Sequence, residues 1–220
     1  MPDQLKAIII GATSGIGREV ALQLLRQGWQ LGIAGRRTPE LEAIREQFGP
    51  EQVKIATIDV TSDSAASALD ALLQETGAPD WFLHVSGVGY QSGPLDEEKE
   101  LRIGIVSSIA GTAGLGAAPA YSATKRMQSH YISALAQFVR MEGLPVRFTD
   151  IRPGFVATAL LSSEKKYPML IKPEKAAGYV VRGLRRGRRV VTFDWRYRVL
   201  VFFWRLIPRP IWERLTWVNN

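Results

Sequence analysis

Apolar residues come in short runs separated by amphipathic stretches, from the first residues of the chain to about position 193. Ala7–Ile10 reads as a short buried strand. A glycine turn follows, and Val20, Ala21, Leu24 and Leu25 then recur at helical spacing, which predicts a helix to about Gly28. Leu31–Ala34 is the second strand, and Pro39 sits where proline opens a helix, in the first turn that needs no N–H. Val53–Ile58 predicts a third strand and Ser64–Glu75 a helix; Trp81–Val85 and Ile103–Val106 are strands four and five. A long helix is expected over Tyr121–Met141, where Ile132, Leu135, Ala136 and Val139 make one apolar face. Val146–Ile151, Pro173–Arg185 and Val190–Phe193 add a strand, a helix and a seventh strand. Strands alternating with helices imply an α/β fold, a doubly wound parallel sheet between two helix layers. No linker or repeat interrupts it, so a single domain over residues 1–193 is expected, followed by a basic, Trp-rich C-terminal tail over 194–220.

Composition agrees with that reading and removes several kinds of chemistry. The chain has 220 residues, 46% apolar and 22% charged, enough for one core and against a disordered character. Cysteine is absent, which excludes disulfides, thiolate catalysis and cysteine metal sites. His84 and His130 are the only imidazoles, so no metal is expected. No apolar run reaches the roughly 18–20 residues that span a bilayer, and the N-terminus shows no signal-peptide pattern, so an intracellular, cytoplasmic protein is expected. The net charge of +7 is uneven. Residues 182–214 carry ten arginines against Asp194 and Glu213, or +8, and the rest of the chain carries −1. Any anionic partner must therefore meet the C-terminal region.

The first strand leads into Gly11-Ala12-Thr13-Ser14-Gly15-Ile16-Gly17 at the start of the first helix. Glycine lets the backbone approach a pyrophosphate, and the helix N-terminus offers unpaired N–H groups to that anion. The second strand ends in Gly35-Arg36-Arg37, where an acid would bind the adenosine ribose hydroxyls of NAD. An arginine fork instead pairs with a 2′-phosphate, at about 1.5–3 kcal/mol, or roughly 10- to 100-fold preference. NADP(H) is therefore expected over NAD(H), mainly through Arg36. Asp59 after strand three suits either a contact with the adenine amino group or a helix cap, and Val60 suits the ring face.

Ser108 precedes Tyr121 by thirteen residues, and Lys125 follows it by four, one turn along the same helix face. An ammonium close to a phenol favours the phenolate, which proton transfer at neutral pH requires. Ser108 is placed to donate to a substrate carbonyl. These residues, with Gly11–Gly17, Asp59-Val60, Tyr121-Ser-Ala-Thr-Lys125 and Arg152-Pro153-Gly154-Phe155-Val156-Ala157-Thr158, resemble the short-chain dehydrogenase/reductase family in order and across most of the chain. The resemblance implies a Rossmann-type fold and reversible hydride transfer between NAD(P) and a carbonyl/alcohol pair. It implies Tyr121 as general acid/base, Ser108 as the group orienting the carbonyl or alcohol, and Lys125 as the residue holding the nicotinamide ribose and assisting Tyr121. Pro153, Gly154, Val156 and Thr158 would lie beside the nicotinamide, and Gly11, Thr13, Ser14, Gly15, Ile16 and Gly17 around the pyrophosphate.

The pattern departs from the family in three places. Ile10 stands before the first glycine. His84-Val85-Ser86-Gly87 stands where the family has Asn-Asn-Ala-Gly, so His84 is expected to serve structure, with Ser86 and Gly87 still near the cofactor. Only Val88–Leu101 separates Gly87 from strand five, enough to close a parallel crossover but not to add the family's helix, with Asp96–Glu100 making at most one exposed turn. That helix supplies a relay asparagine, and the chain's asparagines are Asn219 and Asn220 only. Impaired activity and altered assembly are expected, and homo-oligomerisation is left open. The leading expectation is an NADP(H)-dependent oxidoreductase acting on a small carbonyl or alcohol, of apolar character. The other reading is a catalytically weak cofactor-binding or interaction protein that keeps the fold.

Trp195, Trp204, Trp212 and Trp217 lie beside the arginines of the tail, with Val199–Trp204 apolar between them. Two readings stand: a helix at an anionic membrane surface, or a tail packed over the substrate pocket or a partner. No nucleic-acid reading motif accompanies the charge, so no nucleic acid is expected.

Overall fold

In the computed structural model, residues 4–85, 100–158, 161 and 167–216 are described. Strand β1 (Lys6–Ile10) opens the chain and runs through Gly11–Ser14 into helix α1 (Gly15–Leu25). Strands β2 (Gln30–Gly35) and β3 (Val53–Thr57) are joined by α2 (Thr38–Phe48), which carries Pro39 in its first turn. Helix α3 (Ala65–Thr76) leads to β4 (Trp81–His84), and β5 is Leu101–Val106. A 3-10 turn at Ile109–Thr112 precedes α4 (Pro119–Met141). Then come β6 (Val146–Arg152), α5 (Pro173–Arg185), β7 (Val190–Thr192), α6 (Trp195–Leu206) and a short α7 (Arg209–Trp212).

All seven strands pair in parallel, in the order β3-β2-β1-β4-β5-β6-β7. The sheet is wound outward from β1 and β4, so the strand order reverses between their carboxyl ends. In an open parallel sheet that reversal opens the crevice where ligands bind. The doubly wound α/β fold expected from the sequence is the one observed. The first helix ends at Leu25, short of Gly28: Gly28 takes φ 81°, and Trp29 N–H turns back to the Leu24 carbonyl.

One face of the sheet is covered by a continuous core. Ile9, Leu31, Ile33 and Leu83 pack there against Val20 and Leu24 of α1, Leu41 and Ile44 of α2, and Val180 and Leu184 of α5. The other face carries two separate clusters among the described residues. Ile8, Ile10 and Ala34 pack under Leu69 and Leu72 of α3, whereas Phe148 packs under Ile132 and Val139 of α4. Leu135 and Ala136 are partly buried on that second cluster. The division falls between β4 and β5, which are joined by residues 85–100 and still pair in parallel register, Trp81 opposite Arg102 and His84 opposite Ile105. Residues 86–99, which include Ser86, Gly87 and most of the segment expected to be shortened, lie outside the described residues, as do Trp217, Asn219 and Asn220.

Candidate active site

The turn after β1 is shaped by two glycines with left-handed backbone, Gly11 at φ 93° and Gly15 at φ 57°. Gly17 tightens it further: a Cβ there would lie 2.2 Å from the Gly11 carbonyl oxygen. Ser14 precedes α1 in extended conformation and makes no side-chain cap, so the first-turn N–H groups have no capping side chain. A cradle closed to side chains and rich in N–H donors fits a pyrophosphate. Ile16 and Gly17 are buried, and Ala12 N–H donates to the Ala34 carbonyl, which fixes the turn to β2.

Arg36 and Arg37 follow β2 at the surface. The Arg37 guanidinium donates to the Thr13 carbonyl at 3.1 Å and to its Oγ1 at 3.2 Å, and it pairs with Glu40 at 3.4 Å. Arg36 is exposed beside Asp59. Asp59 Oδ1 accepts from Thr61 N–H at 3.0 Å and Thr61 Oγ1 at 2.8 Å. Those two bonds, then the nearby Arg36 charge, hold its carboxyl below the usual range. Val60 is half-buried on the α3 cluster.

The chemistry end is assembled by β5, the 3-10 turn and the start of α4. Ser108 is buried directly after β5; its Oγ accepts from Ala110 N–H at 3.1 Å and reaches the Pro153 carbonyl only at 3.5 Å. Tyr121 lies in the first turns of α4 and is 42% exposed. One turn on, Lys125 Nζ sits 5.8 Å from the Tyr121 ring centroid and donates to the Val106 carbonyl at 3.2 Å and to Gln128 Oε1 at 3.0 Å. Gly111 brings the Ser108 turn and α4 together, since a Cβ there would meet the backbone of Lys125 and Arg126 at 2.7–2.8 Å. Burial pushes the Lys125 ammonium below its ordinary pKa, and the buried Asp150 carboxylate opposes that shift. Asp150 itself is held by Ser107 Oγ at 2.5 Å and Arg152 at 2.7 Å. His84, at the end of β4, is buried with its Nε2 unpaired among the described residues. Its pKa is lowered to about 4, by burial first and the Lys125 charge second.

The third part of the site follows β6. Pro153 and Gly154 turn the chain, Val156 is buried in a bridge to Ile171, and Thr158 comes back to the glycine turn, with its Cγ2 placed 3.1 Å from a Cβ on Gly15. The structure thus gathers the N-terminal glycines, the Tyr121–Lys125 pair, Ser108 and Thr158 around the carboxyl ends of the central strands. A separate hollow, bordered by Trp29, Asp80, Trp81 and Arg102, opens at the opposite end of those strands.

Four more residues shape the site, and of these Tyr197 and Gly111 went unread in the sequence. Tyr197 of α6 is buried against Gly154, where a Cβ would lie 2.3 Å from its ring, and its hydroxyl accepts from Phe155 N–H and donates to the Pro168 carbonyl at 2.8 Å. Trp204 and Trp212 donate through Nε1 to Thr112 Oγ1 and the Gly114 carbonyl, holding the loop that follows Ser108. Gly111 is the last. The only signal for Gly111 was a glycine between Ser108 and the helix, which resembles any loop glycine until α4 is placed beside it.

The short chain dehydrogenase pattern matches this chain over residues 5–102 and 92–168. An uncharacterized oxidoreductase of Myxococcus xanthus is 31% identical over 240 aligned positions, covering 94% of each chain. An uncharacterized oxidoreductase of Mycobacterium tuberculosis is 26% identical, covering 96% of this chain and 90% of that one. Among solved structures, a short chain dehydrogenase/reductase from Burkholderia phymatum in complex with NAD superposes with a TM-score of 0.76 at 18% identity, covering 91% of this chain and 92% of that one. A variant of actinorhodin polyketide ketoreductase with NADPH gives 0.70 at 19% identity, covering 88% and 97%.

Proposed function

Because the chain belongs to the short chain dehydrogenase family, we propose that it is an NADP(H)-dependent oxidoreductase interconverting a carbonyl and an alcohol, with Tyr121 as general acid/base. The observation that carries this reading is the face of α4 on which Lys125 stands 5.8 Å from the Tyr121 ring, locked through Gly111 against the turn that begins at Ser108.

The bound nicotinamide supplies or accepts the hydride at the carbonyl carbon. Ser108 Oγ already accepts from Ala110 N–H and has only a long donor contact to Pro153, so its hydroxyl proton can turn to the substrate oxygen and orient it. In the reducing direction Tyr121 gives its phenolic proton to that oxygen, and in the oxidising direction its phenolate takes the proton back. The Lys125 ammonium, fixed by the Val106 carbonyl and Gln128, stabilises the phenolate. Gly11, Thr13, Ser14, Gly15, Ile16 and Gly17 hold the pyrophosphate, and Pro153, Gly154, Val156 and Thr158 border the nicotinamide. Arg36, exposed at the end of β2, takes the 2′-phosphate, while Arg37 braces the glycine turn through Thr13. The indoles of Trp204 and Trp212 beside the loop after Ser108 favour an apolar substrate.

The shortened connection between β4 and β5 lowers turnover below that of a relative with the full crossover. What supports this is the length of Val88–Leu101 in the sequence, fourteen residues between Gly87 and strand five, and the lack of any asparagine before Asn219.

The test is NADPH and NADH oxidation by the purified chain over aldehydes, ketones and quinones. Tyr121→Phe should lose about 100-fold or more in turnover, with cofactor binding retained. Arg36→Asp should move the NADPH/NADH affinity ratio by roughly 10- to 100-fold. Equal turnover by Tyr121→Phe would refute the acid/base role, and an unmoved ratio would refute the cofactor preference.

A further inference from the structure

Helix α6 carries two apolar stripes on opposite sides. Tyr197, Val201 and Trp204, spaced i, i+4, i+7, face the body of the protein: Tyr197 against Gly154, and Trp204 on Thr112. Trp195, Val199, Phe202, Phe203 and Leu206, spaced i, i+4, i+7, i+8, i+11, form the opposite stripe. That outer stripe is solvent-facing: Trp195 is 65% exposed, Phe202 61%, Phe203 60% and Leu206 62%. Ile211 of α7 is also exposed. Arg198 and Arg205 run along one flank of the stripe and Arg196 along the other.

An exposed stripe of large apolar side chains is unfavourable in water and marks an interaction surface. Arg198 and Arg205 select the partner, since Arg196 is paired with Asp194 at 2.7 Å. They carry part of the +8 charge of residues 182–214, against −1 for the rest of the chain. A protein groove that buried the stripe would have to desolvate those guanidinium groups, whereas a lipid interface lets them remain among headgroups while the rings enter the acyl boundary. Tryptophan and phenylalanine are the side chains that suit that depth. No helix among the described residues is long and apolar enough to cross a membrane, so the surface lies on a bilayer and does not span it.

We propose that the outer face of α6, continued by α7, docks the protein on an anionic lipid surface. This inference does not depend on the catalytic reading. Docking in this orientation brings the loop after Ser108 toward the lipid, because Trp204 and Trp212 tie α6 and α7 to that loop from the inner side.

The full chain is mixed with vesicles of phosphatidylcholine alone, or phosphatidylcholine with phosphatidylglycerol, and sedimented at low and high salt. The chain should sediment with the anionic vesicles, less so at high salt and far less with phosphatidylcholine alone. Phe202→Ser with Phe203→Ser should lower the partition by more than about tenfold. Arg198→Gln with Arg205→Gln should lower it by about fivefold for each arginine and remove the preference for phosphatidylglycerol. All four side chains are exposed, so the melting temperature should stay at the wild-type value, which separates lost docking from lost folding. No sedimentation, equal binding to both vesicle types, or variants that bind like wild type would each overturn the proposal. So would concentration-dependent self-association without lipid that the phenylalanine variant abolishes, which would assign the stripe to a second copy.

Discussion

His84 ends β4 as a buried neutral imidazole, and its Nε2 finds no partner among the described residues. Its pKa of about 4 lies below the ordinary 6.5, so between these values the unfolded chain binds a proton that the folded chain refuses. The lowered folded-state value makes this contribution to stability complete above about pH 6.5 and lost as pH falls toward 4, with a size of about 3 kcal/mol. Urea midpoints should therefore fall between about pH 7 and about pH 5, and His84→Asn should flatten that slope. A slope unchanged by the substitution would place the acid sensitivity elsewhere. At this scale the sequence singles out candidate side chains and not what confines them. Ser108, Tyr121 and Lys125 stand out because the glycine turn and the Arg152–Thr158 motif accompany them in order. Gly111 was not, because its importance lies in the backbone of α4 that meets it, and chain order does not reveal that meeting.

Helix α5 shows what packing adds to an element the pattern already locates. Its span, Pro173–Arg185, was legible to the residue, with proline at the start and arginines in the last turn. It contains two glycines that look alike in sequence. A Cβ on Gly178 meets nothing within 4 Å, whereas one on Gly183 would lie 2.3 Å from Val191 Cγ2 on β7. Gly178→Ala should raise stability by about 0.5–1 kcal/mol through helix propensity. Gly183→Ala should lower it by about 1–3 kcal/mol, because a β-branched valine cannot swing aside. Thermal unfolding of the pair decides this, and equal shifts would contradict the α5–β7 contact. Helix α6 was the element least legible as structure. With one apolar stripe inward and another outward, its sequence reads as apolar nearly all round and interrupted by arginines, so neither face announces itself.

Across the whole molecule, the alternation of strands and helices made the parallel sheet legible, whereas the order β3-β2-β1-β4-β5-β6-β7 is known from the structure. Less legible was how residues 194–216 join the rest. They cap the carboxyl end of the sheet through Tyr197, Trp204 and Trp212, each bonded to a loop of the candidate site. Chemical denaturation followed by far-ultraviolet circular dichroism and by tryptophan emission should give coincident transitions. An earlier change in emission alone would show the C-terminal helices to be a separable unit. On the α3–α4 side the described residues form two clusters, and β4 pairs with β5 in parallel, as the alternation of elements implies.

The contact between Tyr197 and Gly154 also limits how the gene can change. The ring fills the space in which any side chain at 154 would stand, and its hydroxyl joins Phe155 N–H of that turn to the Pro168 carbonyl. Positions 154 and 197 therefore behave as one inherited character. A lineage that enlarges residue 154 must first give up the aromatic ring, and one that loses the ring leaves a hole beside the turn after β6 that a bulkier residue at 154 could fill.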